Sequence, residues 1–332
     1  MSLQRTAVLG AGSWGTALAV IWSQRGNEVV MWGHNPERAA RVQAARENVD
    51  YLPGVPLPPS LTVTSELRAC AGADLMVFVT PSLAVRSVAE ELRPFLRSEA
   101  VLLSCTKGIE HGTGLRMTEI LEETLPGHTV AVLSGPNLAV EVARQLPTAT
   151  VLGCREAESA AEMQQYLGSP AFRIYSSAET ASIELGGALK NVYAISAGVC
   201  DGFGLGDNSK SALVTRALAE MLRLGTAMGG DARTFYGLSG AGDLIATCFS
   251  RHSRNRGLGE RLGKGETLEA ITSSVRTVAE GVPTAKSAYE CARKLQVETP
   301  LLELTYQVLY ESKPPAQALQ ELLSRDQKAE GF

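Results

Sequence analysis

Six residues near the start of the chain, Gly10-Ala11-Gly12-Ser13-Trp14-Gly15, leave few folds open to it. They follow the apolar run TAVLG (6–10) and open an Ala- and Leu-rich stretch, with a second apolar run, EVVMW (28–32), beyond it. A GxGxxG pattern alone is weak, but between a strand and a helix it becomes specific. Gly10 permits a tight turn, Gly12 lets the backbone approach a pyrophosphate, and Gly15 allows the helix to pack closely on the strand. The N–H groups of the first helical turn, at Ser13 and Trp14, then face phosphate oxygens. A dinucleotide site is therefore expected here. The same glycines interrupt the charge-free run between Arg5 and Arg25, which is unsuited to a signal peptide or a membrane span.

The alternation continues. DLMVFV (74–79), AVLLSC (100–105) and TVAVL (129–133) are short Val- and Leu-rich runs without polar alternation, as in strands buried on both faces of a parallel sheet. Helical patterns fit the gaps at 13–25, 83–92 and 114–124, and TATVL (148–152) and FRIYS (172–176) extend the sheet or form its edge. The PGVPLPPS segment (53–60) reads as a loop. After about Thr180 the strand signal stops, and 183–200, 209–229, 267–274, 283–296 and 301–311 all fit helical spacing. The expected fold is α/β: a Rossmann-like, doubly wound, mostly parallel sheet over 1–180, then an all-helical substrate and catalytic domain over 181–332. From Lys313 onward, Pro314-Pro315 and a charged end read as a partly mobile tail.

With 31 Lys+Arg against 35 Asp+Glu the formal charge is −4, which offers no basic footprint for nucleic acid. An anion must be caught by a few placed residues. The six cysteines form no CxxC pair and the four histidines have no metal-ligand spacing, so no metal site is expected, and buried thiols in a reducing cytoplasm are the preferred reading. Beyond the second strand stand Gly33-His34-Asn35, with Arg38 and Arg41, and no carboxylate occupies the place that commonly selects NAD. A 2′-phosphate meets no repulsion there, so NADPH is expected in preference to, or alongside, NADH.

Ligands of an open parallel sheet bind beyond the carboxyl ends of its strands. Lys107 stands at such an end, in Thr106-Lys107-Gly108, as a ligand residue or a snorkelling surface lysine. Ser134-Gly135-Pro136-Asn137 stands at another. Lys190 lies in GGALKNVYAISAG, among small and apolar residues whose desolvation would lower its pKa and suit it to proton transfer. Asp243 sits in a Gly-rich turn, where a structural Asx turn is the plainer reading. Ser253 as N-cap, with Arg254 and Asn255 in a first helical turn, would make a phosphate site, and a solvated arginine cluster is the alternative.

Together these residues resemble the bacterial NAD(P)-dependent glycerol-3-phosphate dehydrogenase family over essentially the whole chain. The resemblance is carried by GAGSWGTALA (10–19), TKGIE (106–110), SGPNLAVEVA (134–143), LGGALKNV (185–192), GLSGAGDLIATC (237–248), SRNR (253–256), VAEGVPTA (278–285) and YQVLYE (306–311). It implies interconversion of dihydroxyacetone phosphate and sn-glycerol 3-phosphate, which supplies the glycerophospholipid backbone, in a cytoplasmic homodimer. It further implies that Ser13, Trp14, His34, Lys107, Ala139, Arg254, Val278 and Glu280 contact the cofactor, beside Gly10, Gly12 and Gly15. Lys107, Gly135, Asn137, Lys190, Asp243, Ser253, Arg254 and Asn255 would line the substrate, and Lys190 would be the general acid/base, assisted by Asp243. The family often has Ser or Thr where this chain has Asn137. Two rivals remain at this level: a dehydrogenase of a sugar acid or hydroxy acid, and a catalytically silent dinucleotide sensor.

Overall fold

The structure is a computed structural model and describes residues 3–274, 279–326 and 329. It divides into two compact units, Met1–Lys107 with Arg116–Thr180, and Gly108–Leu115 with Ala181–Phe332.

The first unit is built on one eight-stranded sheet in the order β3-β2-β1-β4-β5-β6-β7-β8. Its strands are β1 (Arg5–Leu9), β2 (Glu28–Trp32), β3 (Thr62–Thr64), β4 (Leu75–Phe78), β5 (Val101–Ser104), β6 (Val130–Ser134), β7 (Thr148–Cys154) and β8 (Phe172–Ser177). All neighbours pair in parallel except β6 and β7, which are antiparallel. The central strands are buried along their lengths, which is why they lack polar alternation. Three-residue β3, next to the Pro-rich loop, is too short to leave a periodic signal. Helices α1 (Ser13–Gln24), α2 (Pro36–Ala45), α3 (Val85–Leu92), α4 (Met117–Thr124), α5 (Ala139–Ala143) and α6 (Ala157–Leu167) belong to this unit. Asn35 caps α2 by accepting a hydrogen bond from the Arg38 N–H, with Pro36 in the first turn, where its missing donor is not needed.

The second unit is helical: α7 (Ala181–Phe203), α8 (Gly206–Ala227), α9 (Asp243–Phe249), α10 (Arg254–Gly263), α11 (Leu268–Ser274), α12 (Gly281–Lys294), α13 (Pro300–Tyr310) and α14 (Pro315–Leu323). Helix α7 is buried nearly all round, as its apolar sequence requires. It meets α10 through glycines: a methyl on Gly198 would lie 1.9 Å from the Arg256 carbonyl oxygen, and one on Gly259 1.9 Å from that of Ile195. Two expectations need correction. Residues Gly108–Leu115 group with the helical unit, because Ile109 is buried in its apolar core. The supposed tail from Lys313 contains α14, whose Pro315 falls in the first turn and whose Ala318 is buried.

Candidate active site

In the first unit the candidate residues stand just past the carboxyl ends of parallel strands. Gly10 follows β1 with φ +131°, a left-handed region conformation, and its N–H donates to the Trp32 carbonyl. A methyl on Gly15 would lie 1.8 Å from the Gly10 carbonyl oxygen, whereas one on Gly12 would meet nothing within 4 Å. Gly15 thus packs the helix on the loop, and Gly12 leaves an open approach. Gly12 is the N-cap of α1 and gives no side-chain cap, and the first turn carries no acidic residue. Uncapped N–H groups at the positive end of a twelve-residue helix suit a pyrophosphate. The side chains of the loop are engaged elsewhere: Ser13 Oγ donates to the Tyr51 carbonyl at 2.6 Å, and the Trp14 ring lies 6.4 Å from that of Phe172. A dinucleotide would therefore meet backbone here more than side chain.

His34 is exposed beyond the end of β2. Arg38 donates to the Tyr51 hydroxyl at 2.8 Å, and Asp50 lies 3.9 Å from Arg38 and 2.5 Å from Arg41. Both arginines past β2 thus face one carboxylate from later in the chain. On the other side of β1, Lys107 Nζ donates to the Gly135 carbonyl at 3.1 Å. Asn137 Nδ2 donates to Thr150 Oγ1 at 3.0 Å, while Thr150 donates to the Ser134 carbonyl at 2.8 Å. Gly135 has φ +156°, and a methyl on it would press on the Thr150 backbone at 3.0 Å. Asn137 Oδ1 is buried and has no hydrogen-bond partner among the described residues, an acceptor suited to a ligand hydroxyl. Lys107, Gly135 and Asn137 thus form one group. Ala139 opens the short helix α5.

The second unit assembles the remaining chemistry around α7. Gly186 lies one turn before Lys190, on the same face. A methyl there would lie 2.7 Å from the Ser239 carbonyl oxygen, so its absence lets the Gly-rich strand of backbone touch the helix. That segment, Leu238–Gly242, makes a single wide π turn before α9 begins at Asp243. Asp243 thereby reaches Lys190: Nζ and Oδ1 are 3.1 Å apart, with residue exposures of 7% and 2%. Asp243 starts a helix instead of closing an Asx turn. Thr247, which the sequence reading passed over, completes the cluster: its Oγ1 accepts from Lys190 Nζ at 2.7 Å and donates to Asp243 Oδ1 at 3.1 Å. Asp243 and Thr247 are four residues apart, a signal that becomes legible only once α9 is known to begin at Asp243. Lys190 is buried as expected, but beside a carboxylate, and a buried ammonium needs such a partner. Neighbouring Cys248 has its thiol pushed up to about 12 by burial, and is no nucleophile.

Ser253 is the N-cap of α10, accepting from the Arg256 N–H, and Arg254 is exposed in the first turn. Asn255 is buried: its amide donates to Asn191 Oδ1 at 2.8 Å and its Oδ1 accepts from the Gly281 N–H at 2.9 Å. Much of its capacity therefore fixes the start of α12 beside Lys190's neighbour. Glu280 is the N-cap of that helix. Val278 lies outside the described residues. Among the described residues no group of three His, Cys, Asp or Glu side chains could hold a metal ion, and all six cysteines are free.

Comparison with known proteins agrees with both halves. Residues 5–160 match the family model of the NAD-dependent glycerol-3-phosphate dehydrogenase N-terminus, and residues 179–320 match that of its C-terminus. The glycerol-3-phosphate dehydrogenase [NAD(P)+] of Geobacter metallireducens is 46% identical over 331 residues, covering 98% of this chain and 99% of its own. The protein of the same description from Desulfitobacterium hafniense is 44% identical over 328 residues, covering 99% of this chain and 93% of its own. The solved glycerol-3-phosphate dehydrogenase of Coxiella burnetii superposes with a TM-score of 0.94 at 36% identity, covering 97% of this chain and 99% of that one.

Proposed function

The chain belongs to the NAD-dependent glycerol-3-phosphate dehydrogenase family, and from that premise we propose how its residues reduce dihydroxyacetone phosphate, reversibly, to sn-glycerol 3-phosphate. The observation that carries the reading is the buried cluster of Lys190, Asp243 and Thr247 on a chain whose two halves both match that family.

A nicotinamide dinucleotide, when bound, supplies the hydride for C2 of the substrate. Its pyrophosphate would rest on the N–H groups at the start of α1, against Gly10, Gly12 and Gly15, with Ser13, Trp14, His34, Ala139, Arg254, Val278 and Glu280 as further contacts. Lys190 donates a proton to the substrate's C2 oxygen, and takes one in the reverse direction. Asp243 lies beside the amine as its carboxylate partner, and the Thr247 hydroxyl fixes its direction. Lys107 adds positive potential to the developing alkoxide, and Gly135 and Asn137 would meet the substrate's polar atoms. Ser253, Arg254 and Asn255, at the positive end of α10, would hold the substrate phosphate and so orient the carbonyl through a non-reacting group.

NADPH is the favoured cofactor in this reading. Arg38 and Arg41 past β2 support it, and Asp50 beside them tempers it. A cytoplasmic homodimer completes the proposal: six free cysteines suit a reducing compartment, and the resemblance supports the dimer. The test is oxidation of NADPH and of NADH, followed by absorbance, with dihydroxyacetone phosphate, dihydroxyacetone and a hydroxy acid's keto form. Turnover confined to the phosphorylated substrate is expected. Turnover of a keto acid instead, or of nothing, would overturn it.

A further inference from the structure

We infer that Asp201 is a positioning residue for the phosphate-binding turn of α10, acting through Arg256 and Lys210. The inference rests on the assignment of Ser253, Arg254 and Asn255 to the substrate phosphate. Asp201 stands eleven residues after Lys190 on α7, about three turns further along nearly the same face. Its carboxylate is shared by two cations: Lys210 Nζ on α8 lies 2.9 and 2.8 Å from the two oxygens, and Arg256 Nε on α10 lies 2.6 Å from Oδ2. Lys210 is 6% exposed, so the ammonium is well withdrawn from water and losing its carboxylate partner costs more than it would for a surface lysine.

The placement of these three groups brackets one short connection. Lys210 Nζ also lies 4.7 Å from the centre of the Phe249 ring, and Phe249 is the last residue of α9. Arg256 belongs to the first turn of α10. Residues 250–253 link the helix that carries Asp243 and Thr247 to α10, whose capped first turn carries Ser253, Arg254 and Asn255. One carboxylate thus holds Arg256 at one end of the link directly and Phe249 at the other through Lys210. The glycine contacts between α7 and α10 set how near the two helices lie, and a smooth backbone contact resists axial sliding poorly. The shared ion pair supplies that resistance. Arg256 is further occupied by Glu260 Oε2 at 2.9 Å, so its charge is spent on structure and not on an anion.

The experiment measures steady-state kinetics of Asp201→Asn, Asp201→Glu and Arg254→Ala, with inorganic phosphate as competitive inhibitor. Asp201→Asn keeps the volume and loses the ion pairs. Its KM for dihydroxyacetone phosphate and its inhibition constant for phosphate should both rise about tenfold, with kcat within about twofold and NADPH affinity unchanged. Asp201→Glu should recover part of the loss. A kcat that falls while both phosphate constants stay put would overturn the inference. If Asp201→Asn does not accumulate as folded protein, Lys210→Met, which leaves Asp201 paired with Arg256, must raise the same two constants, and unchanged constants overturn it. Arg254→Ala separates the two readings. If it leaves the KM unaltered, the phosphate assignment itself falls; if it raises the KM while Asp201→Asn does not, only the positioning role falls.

Discussion

At the scale of the residue, the proposed site depends on how a buried amine is paired and aimed. Lys190 has two oxygen partners within 3.1 Å, and they differ in kind. Asp243 supplies the charge that a desolvated ammonium requires, and Thr247 supplies direction. Lys190→Ala should reduce turnover by about a thousandfold, the range of general acid catalysis, while a fluorescence titration with NADPH changes little because the glycine loop belongs to the other unit. Thr247→Val keeps the shape and removes the hydroxyl. Its kcat should fall about tenfold with the KM for dihydroxyacetone phosphate nearly unchanged, since the proton donor is misdirected and not removed. An unaltered kcat in that variant would mean that the direct contact with Asp243 suffices to aim the amine.

At the scale of the element, glycine has two distinct jobs in α1 and its loop, and substitution separates them. A methyl at Gly15 would strike the Gly10 carbonyl at 1.8 Å, so Gly15→Ala forces the helix off the strand. It should cost about 1–3 kcal/mol of stability as well as cofactor affinity. Gly12 has φ −82°, which alanine adopts freely, and nothing lies within 4 Å of a methyl there. Gly12→Ala should melt at the parent temperature yet bind NADPH about tenfold or more weakly, because the pyrophosphate would lose its close approach to the backbone. A Gly12→Ala protein of normal affinity would sink the assignment of the loop. In the helical unit the same logic explains why α10 tolerates no side chain at 259, where the α7 backbone passes at 1.9 Å from a methyl carbon.

At the scale of the molecule, stability carries a pH signature through Glu220 on α8. This residue is 2% exposed and accepts from the N–H groups of Leu301 at 2.6 Å and Leu302 at 3.1 Å, in the first turn of α13. Burial pushes its carboxyl from 4.5 up to about 7. The folded state then holds the proton more tightly than the unfolded one. The stability this confers is complete below about pH 4.5 and is lost as the pH rises through about 7. The parent should lose up to about 3 kcal/mol relative to Glu220→Gln between about pH 4.5 and the folded pKa, on top of a pH-independent offset because the amide NH2 cannot accept from one of the two N–H groups. Urea unfolding at several pH values reads this directly, and a difference independent of pH would refute it. Much of the rest was legible without coordinates. Every strand of the first unit but the short β3, the change to helix after Thr180, the glycine loop and the proposed site residues Lys107, Lys190, Asp243 and Ser253 stand out in the sequence, because strand burial, helical spacing and turn chemistry are local properties of the chain. What escaped was whatever depends on a partner distant in sequence. Asp50 beside Arg38, Thr247 between Lys190 and Asp243, Asn191 on Asn255, and Asp201 shared by Lys210 and Arg256 are contacts that no local pattern encodes. The amino-acid order by itself determined which groups are on offer for the proposed dinucleotide site and proton transfer. Tertiary packing, through glycines at 186, 198 and 259 that let backbones touch, decided which charges would stand within 3 Å or so of one another.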